Sequence, residues 1–342
     1  MTLPKIQALP AYALGSLLWL SLSSCNGTVP SVTAPTRSKP TIVASYSVLC
    51  DLTRQIAEET IDLKCLIPGG KDPHTYSPTP DDRKAIETGK LVLYGGYDFE
   101  PSVIQLIKAS PTQRAIAVHE LAVPQPMMTA DGHDHDHHDH RVEKPKDGSK
   151  KEDAKKEDAK PEADPHVWHN AKNGIAMVQV LKTQLSQVNP SETSRYEKNA
   201  KALTDRLSQL DAWIQQSINT IPPMSRKLIT THDALSYYSN AYGIPIEGAL
   251  QGISTDEQPS AQRIKTLSDQ IKATKIPTLF AELSANPKLI ETVAREANVK
   301  LSANPIIADG LGEAGSPTDT YEKMMRENTK TIVTGLGGKL AN

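Results

Sequence analysis

Short apolar runs of β-forming residues alternate with segments of helical periodicity along most of this chain. That alternation restricts the fold more than any other feature. Residues 41–46, 61–67 and 91–94 read as strands, the last as Leu-Val-Leu-Tyr. Between them, 47–60 carries Val48, Leu52, Ile56 and Ala57 at helical spacing, and 80–88 suits a helix stopped at Gly89. The same order recurs downstream. Strand patterns at 227–231, 278–282 and within 301–309 alternate with helical patterns at 234–242, 259–274, 287–297 and 317–334. Such alternation buries a parallel sheet under helices. The expected fold class is therefore α/β, with two similar domains, each a mostly parallel sheet flanked by helices. A helical pattern over 190–219 carries Tyr196, Leu203, Leu207, Leu210, Trp213 and Ile214 along one side. At 1.5 Å per residue it spans roughly 40 Å, enough for one long helix to join the two domains.

The first 25 residues have the composition of a signal peptide: Lys5, then an apolar run over 11–22 too short to span a bilayer permanently. The run ends in Leu22-Ser23-Ser24-Cys25, which resembles a lipobox with Cys25 as the lipidated residue. Residues 26–40, rich in Pro, Ser and Thr, suit a flexible tether. The expected domains are an N-terminal α/β metal-binding domain at 41–188, the connecting helix at 189–219, and a C-terminal α/β metal-binding domain at 220–342. From 123 to 163 the periodicity collapses into a charged insertion that lacks the apolar surface to order itself.

Net charge is −2 and no basic patch with interleaved aromatics occurs, which argues against nucleic acid as a partner. Aromatics are 4% of the chain, too few for a large aromatic-lined pocket. Besides Cys25, only Cys50 and Cys65 remain; they flank a strand–helix–strand unit and, in an exported protein, suit a disulfide, with two separate buried thiols as the alternative.

Five of the ten histidines fall in one short run within the insertion: His133, His135, His137, His138 and His140, alternating with aspartates. Imidazole suits zinc, copper and nickel, so the run is expected to bind such ions weakly. Elsewhere, His74 lies in Asp-Pro-His-Thr-Tyr-Ser-Pro-Thr-Pro (72–80), His166 in Asp-Pro-His-Val-Trp (164–168) and His232 in Thr-His-Asp-Ala (231–234). His74 and His232 follow strand patterns, where ligands of open α/β sheets gather. His119 and His169 are read as structural and bystander residues, Tyr76 and Trp168 as packing, and Asp233 as a cap for the helix after it.

With Ala-Asp-Gly-Leu-Gly at 308–312, these motifs together resemble the solute-binding proteins of bacterial ABC importers for zinc and manganese, the cluster A-I family. The likeness runs from Thr41 onward except for the insertion. It implies a metal held between two domains by His74, His166, His232 and Asp309, with a connecting long helix. Glu282, at a strand end, could orient a ligand histidine. Manganese members of that family carry a carboxylate where His232 stands, so the resemblance implies Zn2+ here. Three imidazoles and one carboxylate make a four-coordinate zinc site. The implied partners are an ABC permease and its ATPase, with the chain a monomer in the periplasm or tethered to the outer face of the cytoplasmic membrane. The alternatives are manganese or iron as cargo, or a zinc hydrolase using Glu282 as base. No His-Glu-x-x-His helix supports the hydrolase, so the expectation is a carrier and not an enzyme.

Overall fold

The computed structural model describes residues 38–111, 114–129, 161–256, 258–274 and 276–342. The signal segment with Cys25, the tether up to residue 37 and the histidine run at 133–140 lie outside the described residues.

Strand β1 (Thr41–Tyr46) is buried from its second residue onward, as a strand covered on both faces must be. It lies between β2 (Asp62–Ile67) and β3 (Leu91–Tyr94), and β4 (Ala115–Ala117) completes an all-parallel sheet in the order β2-β1-β3-β4. Helix α1 (Ser47–Ala57) makes the first crossover and places Cys50 over β2, where it forms a disulfide with Cys65 across a Cα separation of 5.8 Å. Helix α2 (Pro80–Thr88) starts with proline in its first turn and a capping box: Thr79 Oγ1 accepts from the Asp82 N–H, and Asp82 accepts from the Thr79 N–H. Helices α3 (Pro101–Ala109) and α4 (Val118–Ala122) complete this half; they and β4 fall where the sequence reading placed no element. A three-residue strand and a five-residue helix are too short to show a period.

Helix α5 (Ala171–Val188) leads into the long helix α6 (Thr193–Asn219), whose 27 residues match the expected strut. It is no bare connector. Tyr196, Leu203, Leu207, Leu210 and Ile214 are all buried, and the helix packs on α1, α5 and, once the chain returns, the last helix.

The second half repeats the alternation with shorter strands. Strand β5 (Leu228–Thr230) leads through α7 (Ser236–Tyr242) to its parallel partner β6 (Ile246–Ala249), a strand the sequence reading did not anticipate. Helix α8 (Ala261–Thr274), β7 (Thr278–Leu279), α9 (Pro287–Ala297) and β8 (Lys300–Leu301) follow, with β7 and β8 parallel. The expected strands at 278–282 and 301–309 are thus two residues each, extended by a single parallel bridge between Glu282 and Ile306. Helix α10 (Tyr321–Gly335) begins later than Pro317 suggested, because Thr320 supplies the cap, accepting from the Lys323 N–H.

One hydrophobic cluster runs from β1 and β3 through α5 and α6 to α7 and α10, so the halves share a core. A smaller cluster around Ile229, Leu267, Ile271, Leu279 and Ile290 belongs to the second half alone. The halves also meet at backbone distance. The Gly70 N–H donates to the Leu311 carbonyl at 2.8 Å, and a Cβ on Gly69 would collide with the carbonyl of Gly312.

Candidate metal centre

Four buried side chains converge from separate loops. His74 follows β2, and its backbone N–H is held by Asp72 Oδ1 at 2.9 Å. His166 precedes α5, His232 follows β5 and Asp309 lies between β8 and α10. One oxygen, Asp309 Oδ1, lies 3.5 Å from His74 Nε2, 3.3 Å from His166 Nε2 and 3.1 Å from His232 Nε2. One donor atom from each of the four residues lies within 4.8 Å of the other three, a set that can hold a metal ion.

The outer nitrogens explain why the inner ones point inward. His166 Nδ1 is 2.9 Å from Asp164 Oδ1, and that oxygen also accepts the His166 backbone N–H at 2.9 Å. His232 Nδ1 bonds Glu282 Oε2, while Glu282 Oε1 accepts the backbone N–H groups of Thr231 and His232, both at 3.0 Å. A carboxylate can only accept, so each Nδ1 carries hydrogen and each Nε2 is left as the metal-facing atom. Ser284 Oγ donates to Asp309 Oδ2 at 3.2 Å. Phe99 and Trp168 wall the rings, Phe99 at 5.2 Å from His74 and Trp168 at 5.5 Å from His166, between centroids.

Residues 42–335 match the family described as zinc-uptake complex component A, periplasmic, or ZnuA. The chain belongs to the ZnuA family. It is a metal-binding periplasmic component of an ABC metal importer, in line with the resemblance its motifs carry. Among its relatives, the manganese ABC transporter substrate-binding lipoprotein PsaA of Streptococcus pneumoniae is 32% identical over 335 residues, 94% of this chain and 98% of that one. The metal ABC transporter substrate-binding lipoprotein FimA of Streptococcus parasanguinis is 30% identical over 295 residues, 86% and 88% of the two chains. Among solved structures, the periplasmic zinc binding protein TroA from Treponema pallidum superposes with a TM-score of 0.74 at 28% identity, covering 87% of this chain and 99% of that one. The two-domain α/β architecture with one long helix is the fold of that group.

The electrostatics of this ZnuA-family centre suit a cation. Burial alone would raise the Asp309 pKa, but the surrounding His232, His166 and His74 rings outweigh it and hold the carboxyl well below its usual range. Burial alone would lower the two supported imidazoles. For His232, Asp309 and Glu282 reverse that and raise it well above the ordinary value; for His166, Asp164 and Asp309 do the same. In the metal-free molecule, protons between the rings and Asp309 offset the carboxylate charge, and a divalent ion at the same point would take over that role.

Sequence reasoning found the four convergent residues and Glu282, and overlooked other supports. Asp164 stood in the quoted Asp-Pro-His motif, where a carboxylate two residues ahead of a histidine can reach both its backbone and its ring. His169, read as a bystander, lies outside the convergent set; it is buried, and its Nε2 lies 2.8 Å from the Ala308 carbonyl, next to Asp309. His119 is structural as expected, buried with Nε2 at 2.7 Å from Tyr46 Oη. Tyr76 Oη ties the Leu66 carbonyl to Asp82. Asp233 accepts from Ser236 Oγ at 3.0 Å, and α7 has no side-chain cap bond.

Proposed function

We propose that this chain captures Zn2+ between an N-terminal domain at 41–188 and a C-terminal domain at 220–342 and hands it to an ABC permease driven by its ATPase. The observation that carries this reading is the convergence of three imidazole nitrogens and one carboxylate oxygen on a single buried point. His74, His166, His232 and Asp309 are the ligands, and Glu282 and Asp164 orient two of them. A filled four-coordinate site leaves no open position for an activated water, so the chemistry is capture and release and not hydrolysis. The chain acts as a monomer on the periplasmic side, and Cys25 is the attachment point for lipid, a reading supported by relatives named as lipoproteins. The run at 133–140 gathers the same ion more weakly.

The second reading is manganese as cargo, favoured by the relatives named for manganese. Affinity alone does not separate the two, because zinc outbinds manganese at nearly any site of nitrogen and oxygen donors. Transport does. In cells with and without this chain, uptake of radioactive zinc is expected to fall on its removal while manganese uptake holds. Loss of manganese uptake with zinc unchanged refutes the zinc assignment.

A further inference from the structure

The peptide that carries Asp309 is tied to both halves of the molecule. On its upstream side, the Ile306 N–H donates to the Ala281 carbonyl at 2.8 Å, within the second half. From Ala308 to Leu311 backbone ties run to the first half, while the Asp309 carboxylate is also held within the second half, by Ser284 Oγ at 3.2 Å and His232 Nε2 at 3.1 Å. His169 Nε2 meets the Ala308 carbonyl, the Leu311 N–H donates to Ser47 Oγ at 2.9 Å, and Gly70 holds the Leu311 carbonyl. Of these, only the bond from His169 reaches the residue adjacent to the carboxylate.

A carbonyl can only accept, so His169 carries its hydrogen on Nε2 and a lone pair on Nδ1. That Nδ1 is buried and has no hydrogen-bond partner among the described residues. Burial keeps the ring neutral, with its pKa pushed down to about 3. An imidazole with one nitrogen unsatisfied is an unfavourable way to fill buried space, and an apolar side chain of similar size would avoid the penalty. The ring's polar contact is the bond to Ala308. His169 also ends the short turn that begins just after His166 (Val167–His169), so the two histidines are fixed to one another.

We propose that His169 is a positioning residue for the metal centre. By holding the Ala308 carbonyl from the first half, it sets where Asp309 Oδ1 stands against the three imidazoles and ties completion of the ligand set to the packing of the halves. This rests on Asp309 being a ligand, as read above.

The test is zinc affinity of the full chain, measured by competition with a chromophoric chelator, with thermal unfolding of the metal-free protein as the check on folding. His169→Leu is expected to weaken zinc binding about tenfold or more, the scale on which outer supports act. His169→Gln, whose amide N–H stands where Nε2–H stood, is expected to restore most of it. His169→Asn, too short to reach, replaces the leucine variant if that one does not fold. In an Asp309→Ala background the same change is expected to add less than twofold, because the group it positions is gone. Wild-type affinity in His169→Leu, or an equal loss in both backgrounds, overturns the positioning role. Unchanged zinc affinity in Asp309→Ala alone would instead remove Asp309 from the ligand set and take the underlying reading of the site with it.

Discussion

Two buried clusters of histidine and carboxylate stand against Phe99 and Trp168, and they are built to opposite ends. At the metal centre, Nδ1 of His166 and Nδ1 of His232 are bound to carboxylates, and three Nε2 atoms meet one oxygen. In the other cluster, His119 Nε2 is taken by Tyr46, while Glu100 accepts on Oε1 from Ser45 Oγ at 2.6 Å and from the Gly95 N–H at 2.7 Å. Glu100 Oε2 and His119 Nδ1 have no partners among the described residues, and no donor set converges. The charges follow. The centre holds its carboxylate ionised and raises two of its imidazoles, whereas burial pushes Glu100 up to about 7 and His119 down to about 3. Similar side chains in similar burial therefore give a cation site in one place and a neutral polar core in the other. What differs is where the second nitrogen of each ring is tied.

The most severe way to break this contrast is to remove a convergent ring. His232→Ala is expected to weaken zinc binding roughly 10³-fold, about 4 kcal/mol, on the order of one ligand's share of a four-ligand site. Tyr46→Phe in the other cluster should leave affinity within about twofold, because it touches no convergent atom. Calorimetric or chelator-competition titrations of the two variants decide it, and equal losses would erase the distinction.

The next effect is the pH dependence that Glu100 of the neutral cluster adds to stability. The folded pKa of Glu100, about 7, lies above its ordinary value of 4.5. Between those values the folded chain keeps a proton that the unfolded chain has lost. Stability is therefore expected to fall as pH rises from 4.5 to 7 and to level off above, by on the order of 3 kcal/mol from this group. Glu100→Gln stays neutral throughout and should lack that fall. Denaturant unfolding of the metal-free wild type and variant at stepped pH isolates the term as their difference. His119, neutral in the fold, contributes a slope of opposite sign between about 6.5 and 3 that is common to both chains.

The convergent residues were legible for a reason the silent supports lack. His74, His166, His232 and Asp309 each sit in a compact motif with proline, aspartate or glycine, and His74 and His232 do so just beyond a strand. A residue at the carboxyl end of a strand points to a site before the fold is known. His169 acts on a backbone carbonyl 139 positions away, a pairing that no local pattern encodes. The strands of the first half read well because β1 carries the unbroken apolar run Ile42-Val43-Ala44 and is buried from Ile42 on; β6 did not, because Ile-Glu-Gly-Ala has neither a sustained apolar run nor alternation that a four-residue window can establish. The start of α10 was misplaced because Pro317 mimics a first-turn proline. The glycine-rich loop before it serves instead to bring Leu311 against Ser47 and Gly70.

The smallest expected effect sharpens the comparison most, because it alters a hydrogen atom's place and leaves every ligand present. Glu282 uses both oxygens as acceptors, one for two backbone N–H groups and one for His232 Nδ1. In Glu282→Gln the amide oxygen can serve only one side. If it keeps the two backbone donors, the NH2 faces Nδ1 and drives His232 into the tautomer with hydrogen on Nε2, the atom that must offer its lone pair to the ion. Zinc affinity is then expected to drop about 10- to 100-fold with the fold intact, the range found for such supports. Histidine ring 15N chemical shifts in the metal-free chain, recorded at a pH high enough for the His232 ring to be neutral, should show the tautomer exchanged at His232 and unchanged at His119. A loss of affinity without that exchange would mean that Glu282 acts through its charge, and that the placement of the second nitrogen is not what separates the two clusters.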